Sequence, residues 1–175
     1  MILETGRIFA GYRVVRPIGQ GGMGQVYLVE HPHLGRLEAL KLIAVDHGDP
    51  QFEERFTREA RTAAALKHPG IVTIYHYGVE QGMPWFTMDY VDGTDLASTK
   101  RLTRDEVGVV VSHAADALDY AHRHGVVHRD VKPANIMVTR DDATGSLERV
   151  VLLDFGIARI MWGGLLTAKS AFIVT

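Results

Sequence analysis

Four glycines between two apolar, strand-like runs set the strongest limit on how this chain can fold. The segment Gly19-Gln20-Gly21-Gly22-Met23-Gly24-Gln25-Val26 follows Tyr12-Arg13-Val14-Val15 and leads straight into Val26-Tyr27-Leu28-Val29. β-Branched and aromatic residues on both sides of a glycine cluster read as a hairpin with a long turn. The spacing G-x-G-x-x-G-x-V is a phosphate-binding pattern, but a weak one by itself in a chain with 18 glycines in 175 residues. A dinucleotide fold needs a helix directly after such glycines, and here a strand follows. That fold is excluded. A glycine hairpin can instead lower its backbone N–H groups over a polyphosphate, because no Cβ holds the chain away.

A third strand-like run, Ala39-Leu40-Lys41-Leu42-Ile43, comes next. Residues 51–67 then place Phe52, Phe56, Ala60, Ala63 and Ala64 at steps of three and four, one apolar stripe on a helix. Two further strand-like runs, Ile71 to Tyr77 and Trp85 to Val91, flank a turn at Gly82-Met83-Pro84. Residues 103–124 predict a second helix. Thr103 and Glu106 form a capping box at its start, and Gly125 stops it. Val107, Val110, Val111, Ala114, Leu118 and Ala121 repeat with helical spacing between them. Short strands are expected near 136–139 and 149–153, joined through a polar hairpin tip at 140–149. Strands, helix, strands, helix, loop and hairpin make an α+β chain, without the strict alternation of a parallel α/β sheet.

Three places carry groups that can do chemistry. Lys41 lies in an apolar strand, where a bare charge is costly and calls for a partner or a ligand. Glu59, beside Ala60 on the first helix, is a candidate partner; a solvated edge lysine and a surface glutamate fit these residues equally well. The loop His128-Arg129-Asp130-Val131-Lys132-Pro133-Ala134-Asn135 packs polar groups between apolar runs, and Asp154 ends the apolar run Val150-Val151-Leu152-Leu153. Asn135 and Asp154 offer oxygen ligands for a hard cation such as Mg²⁺. Asp130 is a second carboxylate, able to accept a proton or orient a hydroxyl.

Composition removes other classes. Lys and Arg number 19 against 21 Asp and Glu, a net charge of −2, which provides no basic footprint for nucleic acid. The absence of cysteine excludes disulfides and thiolate chemistry. No run approaches the ~18 apolar residues of a membrane span, and residues 1–12 have no apolar leader core, so a cytoplasmic chain is expected. The pairs His31-x-His33 and His122-x-His124 lack the further ligands a zinc site needs.

Taken in order, the glycine loop, strand Lys41, helix Glu59, the H-R-D-x-K-x-x-N run 128–135 and Asp154-Phe155-Gly156 resemble the eukaryotic-like protein kinase family. Lys132 is similar to the serine/threonine class, and residues 58–78 resemble actinobacterial receptor-type members. The resemblance covers about residues 10–159. It implies a kinase-like N-lobe, an antiparallel sheet plus one helix, over 10–92. A partial, mainly helical C-lobe would span 93–159 and a divergent tail 160–175.

The resemblance further implies that Gly19, Gln20, Gly21, Gly22, Met23, Gly24 and Val26 cover the phosphates of ATP, and that Ala39 also binds ATP. Lys41, paired with Glu59, would contact the α/β-phosphates. Asp89, Tyr90 and Val91 would form the hinge for adenine, with Met88 behind it as gatekeeper. Asp130 and Lys132 would be catalytic, and Asn135 and Asp154 would hold Mg²⁺, or Mn²⁺ in its place. His128 and Phe155 would be internal props. The implied activity is transfer of the ATP γ-phosphoryl group to Ser/Thr hydroxyls of a protein substrate.

No A-P-E segment follows Arg159, so the resemblance also leaves a second reading open: a nucleotide-binding or interaction fragment without transferase activity. An intact relative could carry a membrane anchor beyond this chain. The apolar face carrying Val107, Val110, Val111 and Leu118 is expected to drive self-association.

Overall fold

The computed structural model describes residues 2–21, 24–44 and 52–155. The divergent tail expected at 160–175 lies outside them, as do Gly22 and Met23. Six strands form one antiparallel sheet: β1 (Ile8–Phe9), β2 (Tyr12–Gly21), β3 (Gly24–Glu30), β4 (Leu37–Ile43), β5 (Ile74–Glu80) and β6 (Met83–Asp89). Their spatial order is β1-β2-β3-β4-β6-β5. The glycine segment is the expected hairpin, with Gly21 paired to Gly24 and Gly19 to Val26.

Both faces of this sheet are covered, and the period of two along β4 shows how. Leu40 and Leu42 join Tyr12, Val14, Tyr27, Val29 and Trp85 on an outer face. Leu3 and Phe9 from the first residues pack there too. Ala39 and Ile43 point the other way, against Phe52, Phe56, Ala60 and Ala63 of helix α1 (Phe52–Ala64). Lys41 shares that inner face, which is how a lysine only 5% exposed comes to point toward the cleft.

The chain after Ile71 departs from the expected strand. Ile71 makes an isolated parallel bridge with Leu152, and the strand proper begins at Ile74. Val72 N–H donates to Leu152 O at 3.0 Å and Leu152 N–H to Gly70 O at 2.8 Å, tying this segment to the second sheet. The turn before β6 is also shorter than expected. Gln81 and Gly82 both have positive φ, 53° and 75°, the conformation of a two-residue hairpin turn, so Met83 and Pro84 already belong to the strand.

Beyond residue 92 the described residues hold β7 (Thr94–Asp95), helix α2 (Arg104–Arg123), a 3₁₀ turn (Pro133–Asn135), β8 (Ile136–Arg140) and β9 (Leu147–Leu152). The strands form a second sheet in the order β7-β8-β9. α2 starts with the expected capping box: Glu106 N–H donates to Thr103 Oγ1 at 3.2 Å, and Thr103 N–H to Glu106 Oε2 at 2.7 Å. Its buried stripe is narrower than the apolar pattern, made of Val110, Ala114, Ala117 and Ala121. Small side chains let the helix come close to the loop before β5, where a Cβ on Gly70 would lie 3.1 Å from that of Ala117. Val107 and Val111, one step off this stripe, stay 45% and 61% exposed.

Candidate active site

A cavity of about 960 Å³ lies between the two sheets. Gly19, Gln20, Gly24 and Val26 of the glycine hairpin form its roof, and Ala39 and Lys41 of β4 its back. Met88, Asp89, Tyr90 and Val91 form one wall, and Lys132, Asn135 and Asp154 come up from below. Most of the residues singled out in the sequence are thus brought together. Gly21 sits at the end of β2, paired to Gly24. Asp130 does not line the cavity but is hydrogen-bonded to Lys132 and Asn135, which do. The sequence reading missed Arg16, Ile18, Ala134, Met137 and Leu153, and Gly93, Thr94, Asp95, Ala97 and Ser98 of the segment after the wall. For Asp95 a local signal existed: it is followed three residues on by Ser98, whose N–H donates to its carboxylate at 2.9 Å. Hydrogen bonding by Ser98 holds the Asp95 carboxyl below the usual range.

Glu59 is the exception, and the expected Lys41–Glu59 pair does not form. Lys41 Nζ donates instead to Asp154 Oδ2 at 2.5 Å, with the two side chains 6% and 18% exposed. The cause is the register of α1. Its buried stripe runs through Phe56, Ala60 and Ala63, so Glu59 lies at its edge, about 60° around the helix from Phe56. It faces a smaller cavity of about 230 Å³, which it lines with Arg58, Arg129 and Phe155, and its ion pair is with Arg58 at 3.8 Å. A buried ammonium takes the carboxylate within reach, and here that is Asp154.

The loop below the cleft is tied through Asp130, Lys132 and Asn135. Asn135 Nδ2 donates to Asp130 O at 2.8 Å and to Asp130 Oδ2 at 2.9 Å. Lys132 Nζ donates to Asp130 Oδ2 at 2.7 Å. Desolvation pushes the Asp130 carboxyl up, but hydrogen bonds from Lys132 and Asn135 outweigh it and hold it below its ordinary value. Asp130 is therefore an anion at neutral pH, aimed by two donors. Because the Asn135 nitrogen is committed to Asp130, its oxygen is left as the acceptor. With the Asp154 carboxylate it makes a pair of hard oxygen donors, the class that suits Mg²⁺ when phosphates and water complete the shell. Arg129 and Asp154 hold positive φ, 65° and 58°. Non-glycine residues in this region are sterically disfavoured and gather at functional sites.

His128 is a prop, 1% exposed. Its Nε2–H donates to Leu153 O at 2.7 Å, and its Nδ1 accepts from Asp130 N–H at 3.3 Å. Phe155 lies against the ring, with centroids 4.6 Å apart. Both nitrogens are used as a neutral imidazole uses them, and a second proton on Nδ1 would face an N–H. Burial lowers the His128 pKa from 6.5, against the opposing pull of Leu153 O and of the Asp154 and Asp130 charges. As pH falls below about 6.5, the unfolded chain therefore takes up this proton before the folded one does. The contribution of neutral His128 is present above that pH and is lost below it. Urea unfolding between pH 7.5 and 5.5 should show stability falling with pH, with a shallower fall in His128→Gln.

The chain matches the family described as protein kinase domain over residues 12–173. It is 45% identical over 177 residues to the serine/threonine-protein kinase PknJ of Mycobacterium tuberculosis, a match covering 99% of this chain and 30% of that protein. To PknF of the same organism it is 46% identical over 165 residues, covering 90% of this chain and 34% of the relative. The chain thus spans about a third of the length of these relatives. The crystal structure of the M. tuberculosis PknI kinase domain superposes with a TM-score of 0.75 at 43% identity, over 89% of this chain and 64% of that one.

Proposed function

This chain belongs to the protein kinase family, and from that premise we propose that its cleft binds ATP with Mg²⁺ and serves γ-phosphoryl transfer to Ser/Thr hydroxyls of a protein. The observation that carries the proposal is the set Lys41, Lys132, Asn135 and Asp154 lining one cavity beneath a glycine hairpin, with Asp130 hydrogen-bonded to Lys132 and Asn135. In the transfer, the substrate oxygen bonds to the γ-phosphorus, the bond to the β-phosphate oxygen breaks, and ADP leaves. Asp130 holds the hydroxyl and accepts its proton. Lys132, 2.7 Å from Asp130, sits where charge develops on the moving phosphoryl group. Asn135 and Asp154 would hold Mg²⁺, which supplies charge neutralisation on the phosphates. Lys41, paired with Asp154 in this structure, would contact the α/β-phosphates.

Among the described residues no helix is long and apolar enough to cross a membrane. A cytoplasmic location and self-association through the face carrying Val107 and Val111 belong to this proposal, the latter read by sedimentation of the 175-residue chain.

Calorimetric titration of the folded chain with ATP tests the reading. Binding is expected to be tighter with Mg²⁺ than with EDTA. Lys41→Met should weaken it about tenfold or more, by removing the cleft's buried cation. Asp154→Asn should remove the dependence on Mg²⁺. A folded wild-type chain with no affinity for ATP would overturn the proposal.

A further inference from the structure

Glu38 is 0% exposed, unusual for a carboxylate, and its Oε2 has no hydrogen-bond partner. On the strand ladder it stands directly opposite Asp89, the last residue of β6. Like charges directly opposite on one face repel. Two groups relieve this pair. Arg36 Nε donates to Glu38 Oε1 at 2.7 Å. The guanidinium also lies over the Tyr75 ring, 3.8 Å from its centroid. The Tyr75 hydroxyl in turn donates to Asp89 Oδ1. Burial first, and then the bond to Asp89, push the Tyr75 phenol up to about 12, so it remains a donor throughout the neutral range.

The backbone aims Tyr75 at this spot. Ile74 pairs with Met88 and His76 with Thr87, so Tyr75 is one extra residue set against two consecutive partners, a β-bulge. A bulge breaks the alternation of faces and re-aims a side chain. Asp89 is also fixed through its main chain, with its N–H donating to Thr73 O at 3.0 Å. Immediately after Asp89 the chain becomes Tyr90 and Val91, which line the cavity.

We propose that the relay Glu38–Arg36–Tyr75–Asp89, built on the far face of the sheet, positions the 89–91 segment for recognition of the purine edge of a nucleotide. Tyr75 and Arg36 touch no ligand in this arrangement and are positioning residues. Without the phenol hydroxyl, Asp89 keeps only the long bond from Thr73 N–H to its Oδ2, 3.4 Å, while still facing Glu38, and it turns away, carrying the backbone groups of 90 and 91 with it. The inference rests on the ATP reading above and concerns the base alone, not the phosphates.

The test compares ATP with inosine triphosphate, which keeps the phosphates and replaces the 6-amino group by an oxygen. Affinities are measured by calorimetry on the 175-residue chain, as wild type, Tyr75→Phe and Arg36→Gln. Wild type is expected to prefer ATP. Each variant should lose about tenfold in ATP affinity, the scale of one hydrogen bond to a charged group, with inosine triphosphate changed less than twofold. Equal wild-type affinity for the two nucleotides, variants that match wild type, or an equal fall for both nucleotides would each overturn the inference while leaving ATP binding intact. Failure of the folded wild type to bind ATP would instead overturn the nucleotide reading itself, and this relay with it.

Discussion

Asp130→Asn is expected to lower the rate of ATP γ-phosphoryl transfer, read as release or transfer of labelled phosphate, by about 10²–10⁴-fold, the usual contribution of a positioned general base. ATP affinity should stay within threefold of wild type, because Asp130 is not among the residues that line the cavity. The geometry explains the separation. Asp130 Oδ2 receives both Lys132 Nζ and Asn135 Nδ2. An amide at this position offers either a weaker acceptor or an N–H pointing at two donors. It can neither take the hydroxyl proton nor hold Lys132 in place. A variant as fast as wild type would remove Asp130 from the mechanism.

Gly24→Ala is expected to cost about 3 kcal/mol of stability and to weaken nucleotide binding with it. Gly24 has φ of +131°, and a Cβ built on it would lie 1.9 Å from Leu42 O. The clash is with backbone, so β3 must move away from β4, the strand that carries Lys41. Gly19→Ala is the control within the same motif. There a Cβ would meet Val26 at 3.7 Å and 3.8 Å, ordinary contact. Its cost should stay below about 1 kcal/mol, near that of an unremarkable surface change. Denaturant unfolding of both variants reads the difference, and equal costs would show that the close approach at Gly24 has been overvalued.

Local chemistry was legible in the sequence wherever a short pattern has one physical solution. The glycine cluster between β-rich runs became the β2–β3 hairpin, and T-x-x-E became the cap of α2. The loop from His128 to Asn135 became a hydrogen-bonded unit, since His128, Asp130, Lys132 and Asn135 each find a partner within five residues or just past the end of β9. Tertiary choices were not legible. Glu59 and Asp154 are both carboxylates that a buried lysine could use, and the placement of α1 decides between them. The stripe on α2 was drawn toward Val107 and Val111 because valine is a stronger apolar signal than alanine. Close packing buries Ala117 instead, beside the expected Val110, Ala114 and Ala121. Leu3, 2% exposed, and the two-residue β1 sit in a stretch too short to show any period. The bulge at Tyr75 left no mark either, because an extra residue in a strand appears only when its partner strand is known.

The two faces of the large sheet differ in how far along the chain their members are drawn. Apart from Trp85, the outer cluster gathers residues between Leu3 and Leu42, on neighbouring strands joined by short connections. The inner cluster reaches from Ala39 to Phe155 and needs both helices and the second sheet in place. Closing long loops slows folding, and local pairing speeds it. The outer face is therefore expected to assemble first, as a β-meander with a nearly complete apolar layer before residue 45. The cleft-facing side is finished last, when β9 delivers Asp154 to a lysine already standing in its strand.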